Sequence, residues 1–280
     1  MAEETGRRLD VSKRGTSTVT LDSWVSFQEF VNDSFLNDCS FVFRGQRCEN
    51  WLLELTLARL FKQSTVLPSE LSSQVEQHYH EFQYAIRGRR GVNPQELVGD
   101  HLWALGQHFG LATPLLDWTN SPFVAAFFAF CDEGTPQTSY RAVFAAAKNK
   151  LENRSKHLSK TPASFTQAVS FFSPNLDENI RMVAQGGLFS KLPIDLDLET
   201  WVEKYYDDEW DKPVIWKLLI PNDQREVCLR SLSLMNINHL SAFPDLQGAA
   251  LYCNMAISHK GYSLYMGQPR PRKLRVMMGK

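Results

Sequence analysis

Residues 107–130 read QHFGLATPLLDWTNSPFVAAFFAF, the stretch with the clearest structural pattern in the chain. A helix is predicted to end at Gly110, because glycine is common just past a helix C-terminus. A short apolar segment, 115–119, follows, and Pro122 then stands at the start of a very apolar helix over residues 123–130. The start of this helix is therefore preceded by an acid, an aromatic ring and a hydroxyl, which belong to Asp117, Trp118 and Thr119. Such groups can cap the helix, or they can contact an anionic or nucleotide ligand.

The composition is that of an ordinary folded protein. Of the 280 residues 43% are hydrophobic and 22% charged, and the formal net charge is −1. That charge gives no overall basic field, so contact with nucleic acid would need a local patch. The five scattered cysteines form no CxxC pair, which favours reduced, packed thiols and no metal site. Since neither a secretory signal nor an apolar run of roughly 20 residues is present, we expect a soluble, cytoplasmic protein with no membrane partner.

The hydrophobic pattern indicates the α+β fold class. Residues 1–20 are polar and are expected to form a flexible arm. Amphipathic patterns predict helices over residues 70–86 and 224–234. Helices come first and most strands later, and no glycine-rich dinucleotide fingerprint of a Rossmann domain is present. Strands are predicted over residues 40–45, 141–147, 182–184 and 214–220.

Two single positions stand out as candidates for ligand contact. Arg44 ends an apolar strand, and its guanidinium is a rigid fork that matches phosphate or carboxylate. The neighbouring Gly45 lets a ligand approach the backbone. An arginine paired on a strand edge is the alternative for Arg44. His108, on the last turn of its helix, is equally compatible with a histidine favoured by the helix dipole.

Four motifs stand out along the chain: Phe43-Arg44-Gly45-Gln46, residues 107–122, Asn179-Ile180-Arg181 with Gln185-Gly186-Gly187-Leu188-Phe189, and Phe243-Pro244-Asp245-Leu246-Gln247-Gly248. Together they resemble the FRG domain, a family named for its Phe-Arg-Gly triplet. The resemblance runs from about Ser23 to Tyr252, so it implies a single domain over residues 21–255, followed by a basic C-terminal segment over residues 256–280. Ala112, Pro114 and Gln247 depart from the family pattern, which commonly has Pro, Arg and an acidic residue there.

The FRG pattern also looks like that of ADP-ribosyltransferases of the Arg-Ser-Glu type. This resemblance implies a helical N-terminal part packed on a split, mostly antiparallel sheet, with NAD as the substrate that provides ADP-ribose. The late glutamate of such enzymes falls at Gln185, which can hydrogen-bond a ribose hydroxyl but brings no negative charge. Asp117 or Asp245 can supply that charge. The implied catalytic residues are Arg44, Asp117, Thr119 and Gln185.

The same resemblance implies which residues bind NAD. Arg44 would hold the pyrophosphate or the nicotinamide ribose, and Trp118 or Phe109 would stack on nicotinamide. The implied NAD-binding residues are Arg44, Gly45, Gln46, His108, Phe109, Trp118, Thr119 and Ser121.

The predicted function is therefore an NAD-consuming ADP-ribosyltransferase, which is a glycosyl-transfer enzyme. It would act as a toxin or phage-defence effector on a nucleic acid, with RNA favoured, or on a protein acceptor. An antitoxin protein is a further expected partner. One alternative is a nucleotide- or RNA-binding module without NAD cleavage, which the glutamine at position 185 favours; the other is a buried polar network that only fixes the fold.

Overall fold

The computed structural model describes residues 3–4, 6–132, 134, 137–158, 168–174, 180–206 and 213–258. Within these ranges the fold is mixed α/β and is built on one nine-stranded sheet in the order β1-β2-β3-β9-β6-β4-β5-β8-β7. All neighbours in the sheet are antiparallel except β3 and β9, which are parallel. The strands are β1 Glu3–Glu4, β2 Arg7–Lys13, β3 Thr16–Leu21, β4 Phe41–Gln46, β5 Leu115–Thr119, β6 Tyr140–Ala147, β7 Ser170–Phe172, β8 Gly187–Lys191 and β9 Ile215–Pro221.

Helices cover both faces of the sheet and fill the connections. None of the helices in the described ranges is long and apolar enough to cross a membrane. They are α1 Trp24–Phe35, α2 Thr56–Lys62, α3 Leu71–Ala85, α4 Asp100–His108, α5 Pro122–Phe130, α6 Lys148–Leu158, α7 Ile180–Ala184, α8 Leu198–Tyr205, α9 Arg225–Leu234, α10 His239–Ala242 and α11 Leu246–Ser258.

The N-terminal segment differs from the expectation of a flexible arm over residues 1–20 followed by a helical part. β3 lies inside the sheet, between β2 and β9, and Val19 and Leu21 on it are buried. The alternation of threonine with valine and leucine in Thr16–Leu21 suits a half-buried strand, because β-branched side chains pack well on a pleated surface. The prediction of a flexible arm is therefore wrong from Arg7 onwards, where the chain forms strands of the sheet.

Most of the other predicted elements are present, with one change near the later motif. The helices over 70–86 and 224–234 are α3 and α9, and the strands over 40–45, 141–147 and 214–220 are β4, β6 and β9. The strand predicted over residues 182–184 is instead part of helix α7, and the strand of this segment is β8. Of the predicted C-terminal segment, residues 256–258 continue α11, and residues 259–280 lie outside the described ranges.

Helix α5 packs against β4 so closely that one position of the strand must be glycine. A Cβ atom on Gly45 would lie 1.9 Å from the carbonyl oxygen of Ala125 and 2.7 Å from the amide nitrogen of Ala129. The sequence of α5 suits this contact, because three of its residues are small alanines, and Ala125, Ala126 and Ala129 are fully buried. Gly45 therefore brings the helix backbone onto the strand.

The C-terminal end of α5 is held by two arginines, the buried Arg141 and the partly buried Arg225. Arg141, which is 1% exposed, donates from Nη1 to the carbonyl oxygens of Ala129 at 2.5 Å and Asp132 at 3.4 Å. Arg225 donates from Nε to the carbonyl oxygen of Phe130 at 2.9 Å. The last carbonyls of a helix lack partners inside the helix and carry partial negative charge, so cations there stabilise it.

The paired stretch between neighbouring strands is shortest between β4 and β5. β4 pairs with β6 over its whole length, and β5 pairs with β8 over its whole length. Between β4 and β5 there is a single register pair, Phe43 with Thr119. The two strands therefore diverge from that point, and they leave room for a cavity.

Candidate functional site

A cavity of about 380 Å³ lies beside the junction of β4 and β5. Its size falls in the range of small-molecule sites, roughly 300–1,000 Å³. Charged and amide side chains share its wall with aromatic ones. The lining residues are Phe43, Arg44, Gly45, Gln107, His108, Asp117, Trp118, Thr119, Ala125, Phe128, Arg181, Met182, Gln185, Phe189 and Phe243.

Arg44 and Asp117 form the charged pair at the strand junction. Arg44 Nη1 donates to the backbone carbonyl of Asp117 at 2.8 Å and lies 3.4 Å from its carboxylate Oδ2. The Asp117 side chain is 57% exposed, so its carboxylate faces open space as well as the guanidinium. Arg44 Nε is buried and has no hydrogen-bond partner in the part of the chain that the structure describes. The guanidinium is thus held in place with hydrogen-bonding capacity to spare.

Gln185 reaches the same cavity from the turn between α7 and β8, not from a strand. Its Nε2 donates to the carbonyl of Ala242 at 2.9 Å, which fixes the amide and leaves Oε1 as an acceptor. The hydroxyl of Thr119 donates to the backbone carbonyl of Gln185 at 2.6 Å and accepts from the amide of Ser121 at 3.1 Å. Thr119 therefore lines the cavity with a hydroxyl that is already engaged on both sides, and it joins β5 to this turn.

A second charged pair consists of Arg181, which lines the cavity, and Asp245, which lies behind it outside the lining. Arg181 Nε donates to Asp245 Oδ2 at 2.5 Å, and its Nη2 donates to Gln247 Oε1 at 2.9 Å. The other oxygen of Asp245 accepts from the amide of Gly248 at 2.9 Å, in the first turn of α11. That backbone bond, with help from Arg181, lowers the pKa of the Asp245 carboxyl. The glutamine at position 247 thus keeps a hydrogen bond to Arg181 where an acidic residue would add a second ion pair.

His108 lies on the cavity wall at the C-terminal end of α4. Its ring meets the ring of Phe109 edge to face, with the centroids 4.8 Å apart. Burial lowers the pKa of His108 below its ordinary value of 6.5, the positive charge of Arg181 lowers it further, and Asp245 opposes the shift. The imidazole is therefore mostly neutral at pH 7, with one ring nitrogen able to accept a proton.

Two of the residues expected to bind NAD, Gly45 and Gln46 on β4, make packing contacts or hydrogen bonds within the fold. Gly45 lines the cavity, but what approaches its backbone is helix α5. Gln46 is buried, and its Nε2 donates to the carbonyl of Leu52 at 3.1 Å. It is absent from the residues that line this cavity.

Of three further residues of that set, Trp118 lines the cavity, whereas Phe109 and Ser121 do not. The Trp118 residue is 3% exposed, and its Nε1 donates to Ser190 Oγ at 2.8 Å, so it offers little ring surface to a ligand. Phe109 is 75% exposed and lies outside the lining. Ser121 is the N-cap of α5, where its hydroxyl accepts from the amide of Val124 at 3.3 Å.

Several lining residues were not predicted as site residues. Arg181 stands in the third motif, but its partner Asp245 lies 64 positions later, and no local pattern indicates their contact. The apolar part of the wall comes from residues of α5, α7, β8 and the segment after α10, which are ordinary core types in sequence: Phe128, Met182, Phe189 and Phe243. Over the described ranges, no three His, Cys, Asp or Glu side chains cluster as metal ligands would.

Comparison with known proteins adds one finding. Residues 39–138 match the family model described as the FRG domain. No curated protein and no solved structure matches the chain. The matched segment contains β4, α4, β5 and α5, which supply Arg44, His108 and Asp117 to the cavity. Over residues 39–138 the family model therefore supports the resemblance to the FRG domain that the sequence motifs had indicated.

Proposed function

We propose that this chain is an NAD-dependent ADP-ribosyltransferase with an ADP-ribosyltransferase-like fold. The observation that carries the proposal is that Arg44, Asp117 and Gln185, far apart in sequence, line one cavity. They bring together a cation, a carboxylate and an amide. Transfer of ADP-ribose needs a group for the pyrophosphate, a group for the ribose hydroxyls and negative charge near the breaking bond.

The cation of this set suits the pyrophosphate. Arg44 is anchored to the Asp117 carbonyl and keeps a buried Nε–H without a partner among the described residues. A guanidinium held in this way binds phosphate oxygens through directed, charge-assisted hydrogen bonds. Arg44 would therefore orient NAD by its diphosphate.

Asp117 and Gln185 suit the reacting ribose. Cleavage of the nicotinamide–ribose bond develops positive charge on the sugar, and a fixed carboxylate stabilises such charge. Asp117 would supply it, in place of the glutamate that is usual in such enzymes. Gln185 Oε1, oriented by the bond from Nε2 to Ala242, would accept a hydrogen bond from a ribose hydroxyl.

The apolar wall offers surfaces for the nicotinamide ring. Phe128 and Phe243 meet edge to face, with centroids 5.8 Å apart, and both line the cavity. Flat rings pack well against such a pair. These side chains, rather than Trp118 or Phe109, would contact nicotinamide.

The test is incubation of the full chain with NAD labelled in the adenylate part. Nicotinamide release and label transfer to RNA, DNA and protein would be measured separately. Wild type should release nicotinamide, and Asp117→Asn should lower that rate about 10²–10³-fold, the usual effect of removing one group that stabilises a transition state electrostatically. NAD binding by the folded variant should persist.

The matched control is Arg47→Lys. Arg47 lies three positions after Arg44, pairs with Asp132 at 2.6 Å and is absent from the cavity wall. It should keep wild-type turnover, whereas Arg44→Lys should weaken NAD binding. A wild-type protein that neither binds NAD nor releases nicotinamide would overturn the proposal.

A toxin or phage-defence role is the biological setting we propose, with RNA favoured over protein as the acceptor and an antitoxin protein as a partner. The label-transfer arm of the experiment distinguishes the acceptors. Transfer to none of them, with nicotinamide release intact, would leave only NAD hydrolysis and would remove this part of the proposal.

A second candidate is a nucleotide- or RNA-binding module without NAD cleavage. It is favoured by the neutral Gln185 and by the engaged hydroxyl of Thr119. Such a module would bind RNA with an affinity that falls steeply as salt rises, because bound phosphates release counterions. That result, together with no nicotinamide release, would favour this candidate over the transferase.

A further inference from the structure

We propose that His108 is the general base that takes the proton from the acceptor during transfer. This inference rests on the proposed function and assigns a step of it. The acceptor it implies is a neutral O–H or N–H group, which must lose a proton as it bonds to the ribose. A phosphate oxygen, which is already ionised, would need no such base.

The transfer step breaks one bond to ribose C1′ and forms another. The bond between ribose C1′ and the nicotinamide nitrogen breaks, and its electron pair leaves with nicotinamide, which becomes neutral. A lone pair of the acceptor oxygen or nitrogen forms the new bond to C1′. The proton of that acceptor passes to the free ring nitrogen of His108, and solvent removes it afterwards.

The environment of His108 makes it available for this role. The imidazole lines the cavity, and neither ring nitrogen has a hydrogen-bond partner in the part of the chain that the structure describes. His78, in contrast, has Nε2 3.0 Å from the carbonyl of Ala112 and stacks on Trp103. His239 is buried against Phe127 and Phe243.

The carboxylates near the cavity are poorer candidates for the base. Asp245 has a lowered pKa and is bonded to Gly248 and Arg181. Asp117 is paired with Arg44, and its charge is the one that the developing sugar cation needs. Apart from Asp117 and the two arginines, His108 is the remaining titratable group among the residues that line the cavity.

The charged groups around His108 set the direction of its pH dependence. Arg181 on α7 lowers its pKa and Asp245 before α11 raises it, whereas Arg44 on β4 and Asp117 on β5 share the cavity as an ion pair. Burial is the largest cause, and the net pKa lies below 6.5. A base must be unprotonated, so transfer should be lost as the pH falls through that lowered value.

The experiment compares wild type, His108→Ala and His101→Gln as full-length proteins. His101 is an exposed histidine on the same helix and is absent from the cavity wall, so it serves as the matched control. Transfer rates would be measured from about pH 5 to about pH 9, with NAD affinity by calorimetry. His108→Asn, which keeps a polar side chain, gives the same information if the alanine variant does not fold.

We expect wild type and His101→Gln to show an acid limb with a midpoint below 6.5. His108→Ala should transfer about 10²–10⁴-fold more slowly, should lose that limb and should regain activity with added imidazole, while NAD affinity stays the same. A folded His108 variant with the wild-type rate, or with the acid limb intact, overturns the base assignment and leaves the transferase standing. If wild type releases no nicotinamide, the proposed function fails first, and the base assignment fails with it.

Discussion

Replacing Gly45 with alanine tests whether this glycine serves the packing of α5 or the approach of a ligand. The added Cβ would lie 1.9 Å from the carbonyl oxygen of Ala125 and 2.7 Å from the amide nitrogen of Ala129. Both atoms belong to the backbone of a buried helix, so no side-chain rotation can relieve the contact. The helix must move away from β4 for the variant to fold.

The magnitude follows from the size of that clash. The contact to Ala125 is about 1.5 Å shorter than ordinary van der Waals separation. Overpacking of a close-packed core costs typically about 1–3 kcal/mol, and more when the backbone itself must shift. We therefore expect Gly45→Ala to lower the free energy of unfolding by about 3 kcal/mol or more. With a urea dependence of about 3 kcal/mol per molar, the unfolding midpoint should fall by about 1 M.

The assay is urea unfolding followed by the fluorescence of the buried tryptophans, which include Trp24, Trp118 and Trp201. Gly88→Ala is the control: its φ of 73° makes a side chain unfavourable, yet no atom lies within 4 Å of the added Cβ. It should cost about 1 kcal/mol. If Gly45→Ala unfolds at the wild-type urea concentration but no longer binds NAD, the packing explanation is refuted and the glycine serves the ligand.

Two further predictions concern the C-terminal end of α5 and the thiols. Arg141→Met has a side chain of similar length that cannot donate a hydrogen bond, and it should lower the free energy of unfolding by about 3 kcal/mol, because the helix carbonyls and Asn222 Oδ1 lose a buried donor. The control is Arg47→Met, which removes a partly exposed ion pair with Asp132 and should lower the free energy of unfolding by less than about 1 kcal/mol in the same urea experiment. The surrounding protein raises the pKa of Cys131, which is partly exposed, to about 11, and burial raises that of Cys228 as well, so neither should react quickly with a thiol reagent at about pH 8. Fast labelling of either in the native protein would contradict these raised pKa values. The thiols expected to react in the native protein are Cys39 and Cys253, which are exposed.

Local patterns predicted the elements whose signals are contained within a few residues. The N-cap Ser121 and the following Pro122 mark the start of α5, and the apolar run 214–220 marks β9. β3 was missed because its threonines look like a polar arm when they are considered alone. Its burial depends on pairing with β9, roughly 200 residues away, and no local pattern reports such a partner.

The candidate site shows the same limit. The motifs indicated Arg44, Asp117 and Gln185, and the structure places all three on one cavity wall. What sequence could not indicate is which hydrogen bonds are already used within the fold. Thr119 is engaged by Gln185 and Ser121, and Trp118 is bonded to Ser190 in the core. The bonds to Gln185 and Ser190 join segments more than 60 residues apart.

The parallel pairing of β3 with β9 has a consequence for synthesis of the chain. The strand that covers the inner edge of β3 is made roughly 200 residues after β3 itself, which takes roughly 10–40 s at ordinary rates of translation. During that interval one edge of the β2–β3 hairpin has unsatisfied backbone hydrogen-bonding groups, and such an edge can pair with another nascent chain. The sheet closes across its middle only once β9 is available, so the free edge of β3 stays open to pairing with another chain until β9 has been translated.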